Sequence, residues 1–161
     1  MKKKLHILVA CEESQAVTKA FLDLNKSSLP FEIEAYSCDL LPSSGGLKDR
    51  HFNRDVFEII ESRGGMNECG EYIKVPQWDM MIAHPPCTYL AVSGAKWYYH
   101  PDDKEEPLDK RREHPNFPGR RQKQREALDF FKKLFFSDIP FVAIENPVSV
   151  ISSKFQKPND K

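Results

Sequence analysis

The sequence predicts a single α/β domain with a mostly parallel sheet and helices on both faces. Three observations carry that expectation. Segments that read as strands recur at Leu5–Ala10, Glu32–Ser37, Trp78–Ala83 and Phe141–Ile144, and segments with the spacing of one helix face lie between several of them. The length of 161 residues, 40% hydrophobic and 30% charged, suits one ordinary core spanning 1–161. Strands linked in this way call for right-handed crossovers, and ligands of such sheets bind beyond the carboxyl ends of the strands.

Taken in order, Leu5–Ala10 is the first strand, and Ala16, Val17, Ala20, Phe21 and Leu24 share one face of the helix after it. Glu32–Ser37 is the second strand, ending at Cys38-Asp39 before the turn chemistry of Pro42 to Gly46. Asp55–Ile60 is expected to start a short helix, and Gly64–Gly70 reads as an exposed insertion with no site residue. Trp78–Ala83 is apolar without alternation, as in a strand covered on both faces, and Pro85-Pro86 ends it. From about 93 to 119 no period is sustained, which predicts a long loop or lid. A helix over Arg120–Phe136 then leads into the strand Phe141–Ile144.

The 24 basic and 24 acidic side chains cancel, so any nucleic-acid contact must come from a local patch. One candidate is the stretch Lys96–Arg125, where nine Lys/Arg face six Asp/Glu and Trp97, Tyr98 and Tyr99 sit at one end. A solvated charged loop with its aromatics packed inward accounts for it equally well. Met1–Lys4 followed by Leu5–Ala10 is too short for a signal peptide or a membrane span, so a cytoplasmic protein with no membrane partner is expected. The four cysteines form no C-x-x-C pair, which leaves small buried thiols as the default.

Three residues could carry chemistry. Cys87 follows a strand and two prolines, which would hold its thiol at the open edge of the sheet; a nearby cation or a helix N-terminus would make it a nucleophile, and otherwise it is structural. Glu145 ends an apolar strand, where a carboxylate must be paired, protonated or facing a cleft, although Glu145-Asn146 before Pro147 also reads as a simple turn. Asp39 ends the second strand, placed to bind a ribose or to make an ordinary turn.

The run Asp79-Met80-Met81-Ile82-Ala83-His84-Pro85-Pro86-Cys87 resembles the Pro-Cys motif of cytosine-C5 DNA methyltransferases, and Glu145-Asn146-Pro147 resembles their Glu-Asn-Val motif. Gly119-Arg120-Arg121 and its helix resemble the family's Arg-containing segment between the two. Small phage and prophage methyltransferase-like proteins are closer still, sharing Val9-Ala10-Cys11-Glu12, Ser37-Cys38-Asp39-Leu40 and Ala83-His84-Pro85-Pro86-Cys87-Thr88-Tyr89-Leu90.

The resemblance implies a Rossmann-like methyltransferase domain in a phage-encoded or prophage protein. It implies Cys87 attacking cytosine carbon 6, Glu145 protonating ring nitrogen 3, and Asn146 and Arg121 completing the catalytic set. S-adenosylmethionine is the implied cofactor, with Asp39 at its ribose, Asp55 near the adenine, and Cys11, Glu12, Leu40 and Pro85 lining its site. Pro86, Thr88 and Trp97 are the implied substrate contacts, and the target base would be flipped out. DNA or a nucleotide is the implied partner, with a host or phage protein as a further one.

The chain departs from the family in four places. Ala10–Gln15 has no glycine, Thr88 replaces Gln, His84 replaces Gly, and the C-terminal part of the family fold is missing. A catalytically silent scaffold that binds nucleic acid, a nucleotide or a host defence protein is therefore a second expectation, and another pyrimidine modification without S-adenosylmethionine is a third.

Overall fold

A computed structural model describes residues 2–155 and 157, so the end of the polar tail (Gln156 and 158–161) lies outside the described residues. The chain divides into two compact units. The first comprises residues up to Pro85 together with Phe135–Glu145, and the second comprises Pro86–Leu134 and the residues from Asn146 onward.

The first unit is built on β1 (Lys3–Ala10), α1 (Ala16–Asp23), β2 (Phe31–Asp39), β3 (His51–Asn53), α2 (Val56–Ser62), β4 (Gly64–Met66), β5 (Tyr72–Lys74), β6 (Met80–Ala83) and β7 (Phe141–Ile144). Five strands form a parallel sheet in the order β3-β2-β1-β6-β7. Side chains alternate across it. Ile7, Val9, Ile33 and Ala35 pack with Val17, Phe21 and Leu22 of α1 on one face. On the other, Tyr36, Phe52 and Trp78 form a ring cluster, and the Trp78 indole donates to the Ile59 carbonyl of α2 at 3.1 Å. The expected α/β class, with a parallel sheet and helices on both faces, is what the first unit has. Leu8, Val9 and Ala10 are completely buried, each large apolar side chain of this kind contributing roughly 1.5–3 kcal/mol.

Two short features escaped the sequence reading. β3 has three residues, too few to show a period. The Gly64–Gly70 stretch is not a loose insertion: its first three residues form β4, which pairs antiparallel with β5. Asn67 is buried and closes the turn, donating to the Asp49 carbonyl at 2.9 Å and accepting from the Glu71 amide at 2.8 Å. Met66, Cys69 and Gly70 are the exposed residues of the stretch.

The second unit holds all but the last residue of α3 (Arg120–Phe135), and α4 (Ile151–Lys154). Phe131 and Leu134 of α3 are buried, as the apolar stripe predicts. The 93–119 stretch contains no strand or α-helix, but it is organised by short 3-10 turns, a Tyr99–Glu113 bridge and an ion pair of Asp103 with Arg112 at 2.6 Å.

Candidate functional site

Register brings four residues to one edge of the sheet. Ala10 pairs with Cys38 and Ala83, and Ala83 pairs with Ile144, so the next residue on each strand (Cys11, Asp39, His84 and Glu145) emerges at the same level. The pairing ends with the His84 amide donating to Ala10 at 3.0 Å and the Glu145 amide donating to Ala83 at 2.9 Å. Pro85 has no N–H with which to extend it.

The loop after β1 makes its turn without glycine. Cys11 and Gln15 both sit at φ 59°, in the left-handed region, which costs roughly 1–3 kcal/mol for a residue with a side chain. Two devices hold that strain. Gln15, completely buried, donates to Ser37 Oγ and the Leu47 carbonyl and accepts from the Leu47 amide at 2.8 Å. Gly45 of the following loop lies flat against it: a Cβ there would meet the Ser14 carbonyl at 2.3 Å. The close-approach glycine is present, but in the other loop.

Glu12 is spent within the chain. Its carboxylate accepts from the Val17 amide, the Thr18 amide at 3.2 Å and Thr18 Oγ1 at 2.8 Å, taking the exposed N–H groups at the start of α1. A phosphate cannot occupy the same donors.

Cys11, Glu12, Glu13, Asp39 and His84 border a cavity of about 280 Å³, close to the lower end of small-molecule sites, with no lysine or arginine in its lining. Burial, with Asp39 and Asp55 adding to it, pushes the Cys11 thiol up to about 12, so it is a neutral group at ordinary pH. Burial raises Cys38 as well. Asp39 Oδ1 accepts from the Leu41 amide at 2.9 Å, leaving its second oxygen available, and Leu40 beside it is 74% exposed. Asp55 caps α2 by accepting from the Phe57 amide at 2.7 Å. On the far side of His84, its Nδ1 lies 3.3 Å from Glu145 Oε2. The Glu145 side chain is 69% exposed, so the strand-end acid is solvated and paired rather than buried.

In the second unit, Cys87 is half-buried, and its carbonyl accepts from the Leu90 and Ala91 amides, both at 2.9 Å. Arg120 is a cation near this turn: it donates to the Thr88 carbonyl at 3.4 Å and stands 5.2 Å, 5.3 Å and 5.8 Å from the centres of the Tyr89, Tyr98 and Phe117 rings, and Lys123 lies 5.6 Å from the Tyr89 ring as well. Arg121, the arginine expected to act, instead covers Tyr99 and donates to the Arg111 carbonyl. Trp97 meets His114 and Phe117 edge-on with Lys96 over its ring at 4.5 Å, and both polar atoms of the Asn146 side chain are buried without a partner among the described residues.

Of the expected cofactor residues, Cys11, Glu12 and Asp39 thus border one cavity, Leu40 is next to it in sequence, and Asp55 lies near enough to act on Cys11. Pro85 closes the first unit, and Pro86 opens the second, followed by Cys87 and Thr88. Sequence reasoning missed Gln15, Gly45 and the partnership of His84. A histidine directly after a buried strand was the available signal for the last.

No match to the chain was found among protein-family models, curated proteins or solved structures.

Proposed function

We propose that the chain is an S-adenosylmethionine-dependent methyltransferase of the cytosine-C5 type acting on nucleic acid or a nucleotide. The observation that carries the reading is the acidic, cation-free cavity at the carboxyl ends of β1, β2 and β6. Carboxylates repel phosphate, and Glu12 already fills the α1 N-terminus, so dinucleotides fit poorly. A cationic nucleoside fits: Asp39 keeps one carboxylate oxygen for a ribose diol, the apolar Leu40 side chain is open to a base, and Glu13 and Asp39 favour positive charge. When bound, S-adenosylmethionine supplies an electrophilic methyl group.

On this reading the Cys87 thiolate adds to carbon 6 of the pyrimidine while Glu145 passes a proton to ring nitrogen 3, carbon 5 takes the methyl group, and loss of the carbon 5 proton to solvent expels the thiolate. Calorimetry with S-adenosylmethionine and S-adenosylhomocysteine tests it: micromolar binding lost at least tenfold in Asp39→Ala is expected, and no binding by the folded protein overturns it. Methyl transfer abolished in Cys87→Ala is the second requirement.

One observation favours a silent scaffold as the second reading. The α1 amides that nucleotide-binding domains commonly turn toward a ligand are committed to Glu12. Cofactor binding without methyl transfer to any oligonucleotide or nucleotide would select it.

A further inference from the structure

The balanced total charge hides an uneven division. The second unit, Pro86–Leu134 with the residues from Asn146 onward, holds fourteen Lys/Arg against nine Asp/Glu, whereas the first unit holds ten against fifteen. Nor does the 96–125 stretch neutralise itself: of its nine Lys/Arg, Arg112 alone makes an ion pair with a carboxylate among the described residues.

Five of the others rest on aromatic rings instead. Lys96 covers Trp97 at 4.5 Å, Arg111 and Arg121 share Tyr99 at 5.5 Å and 5.1 Å, and Arg120 and Lys123 share Tyr89 at 5.2 Å and 5.6 Å. Phe117 joins these groups into one array, its ring 5.0 Å from Trp97 and 5.8 Å from Arg120. Two like charges on one ring repel each other, and Arg120, Arg121 and Lys123 stand at the positive end of the α3 dipole, whose first turn holds no acid. Glu113, the acid bonded at the start of α3, accepts from the Gly119 amide rather than from any of these cations. The array thus carries a repulsion that an anion from outside relieves. Through the bond from Arg120 to the Thr88 carbonyl it also abuts the turn that carries Cys87.

We infer that this array is a docking surface for single-stranded nucleic acid. The exposed Lys96 and Lys123 meet phosphates, the half-buried Arg111, Arg120 and Arg121 add to the positive field, and Phe117, 39% exposed, offers a ring to an unpaired base. A mononucleotide brings too little charge for five cations. A duplex keeps its bases stacked on one another and leaves Phe117 without a base. The inference deepens the proposed function by choosing a strand over a free nucleotide, and rests on that reading only for what happens to the strand at Cys87.

Fluorescence anisotropy of the full chain with a labelled mixed-sequence DNA strand of about 20 nucleotides tests it. Affinity falls with rising salt, with a log–log slope of about −0.7 for each phosphate contacted. Lys96→Ala and Lys123→Ala each weaken binding about threefold and flatten that slope by about 0.7, whereas Lys123→Arg, which keeps the charge, stays within about twofold. Phe117→Leu, which keeps an apolar side chain but no ring, weakens binding about tenfold with the slope unchanged, because stacking releases no counterions. Lys26→Ala and Lys74→Ala, at exposed lysines of the first unit, leave both quantities as they are.

No binding of the strand at low salt overturns the inference. So does equal or tighter binding of the duplex of the same sequence or of phosphatidylserine vesicles, and so do Lys96, Lys123 and Phe117 variants that bind like the unaltered chain. Strand binding by a chain that binds no S-adenosylmethionine leaves the inference standing and removes the proposed function. S-adenosylhomocysteine binding without strand binding does the reverse.

Discussion

Gly45 and Ser14 touch backbone to backbone: a methyl group on Gly45 would lie 2.3 Å from the Ser14 carbonyl oxygen and 2.6 Å from Gln15 Cβ. Neither is the far end of a flexible side chain. Gly45→Ala must therefore push the 43–47 loop off the strained turn at Cys11 and Gln15, breaking the Gln15 bonds to Leu47. A loss of about 1–3 kcal/mol in urea unfolding is expected, together with weaker S-adenosylhomocysteine binding. Full stability and affinity in the variant would show that the loop does not depend on this contact.

Much of the sheet is legible in the sequence, because β1, β6 and β7 each hold an apolar run of about four residues, and β2 alternates apolar with polar residues before Cys38-Asp39. β3 and the β4–β5 hairpin are not, because three-residue strands carry no period and are fixed only by the strands they pair with. The same limit applies to the site. Asp39 and Glu145 stand out as acids ending apolar strands, whereas Gln15 looks like any polar loop residue until Leu47 and Ser37 close around it. The absence of glycine from Ala10–Gln15 reads as an obstacle to close approach, yet the glycine arrives from a loop some thirty residues later. Arg120 and Arg121 are chemically identical in sequence, and only the Tyr89, Tyr98 and Phe117 rings tell them apart.

Glu12 supplies a stability prediction separate from binding. Glu12→Ala strips the acceptors from two α1 amides and the Thr18 hydroxyl in a buried setting, an expected loss of about 1–2 kcal/mol. Glu12→Gln places an amide donor where Thr18 already donates, so it should not restore the loss. Denaturant midpoints of the two variants decide the point, and a stable Glu12→Gln would mean that the cap needs only one oxygen.

Cys11 makes the protein sensitive to alkali. Its folded thiol keeps its proton up to about 12, whereas an unfolded cysteine releases it near pH 8.5, so the unfolded state gains from deprotonation first. Stability is therefore complete below about pH 8.5 and declines as the pH rises toward 12, and Cys38, raised by the same burial, acts in the same direction. Cys11→Ser should flatten the decline. Peptide mapping after iodoacetamide at pH 8 should find the exposed Cys69 modified long before Cys11. Rapid modification of Cys11 in the folded protein would contradict its burial.

Asp103 sets an acid limit in the second unit. Hydrogen bonds from the Arg112 side chain, and then from its backbone amide, hold the Asp103 carboxyl at about 2. Since an unfolded aspartate titrates near 3.9, the contribution is present above that value and is lost as the pH falls toward 2. The Asp103→Asn protein should lose less stability between pH 4 and pH 2 than the unaltered chain does. Parallel acid curves for the two would place the sensitivity elsewhere.

Arg120 differs from Arg121 in what surrounds it, and substitution should reveal the difference. Three aromatic rings and the Thr88 carbonyl hold the Arg120 guanidinium, and a methyl group on Gly94 would come within 2.9 Å of its Nη2. At about 0.5–1 kcal/mol for each ring contact, Arg120→Ala should cost about 1.5–3 kcal/mol, and Arg120→Lys should recover little, because an ammonium lacks the flat face that lies against the rings. Arg121 has one ring, Tyr99, and one carbonyl, so Arg121→Ala should cost less than half as much. If Cys87 is the nucleophile, the loss at Arg120 should also reach the reaction, because the cation then leaves the turn that carries the thiol. Urea unfolding paired with the rate of Cys87 alkylation separates these effects: slower alkylation in Arg120→Ala than in Arg121→Ala is the expected order, and equal rates would remove Arg120 from any part in activating the thiol.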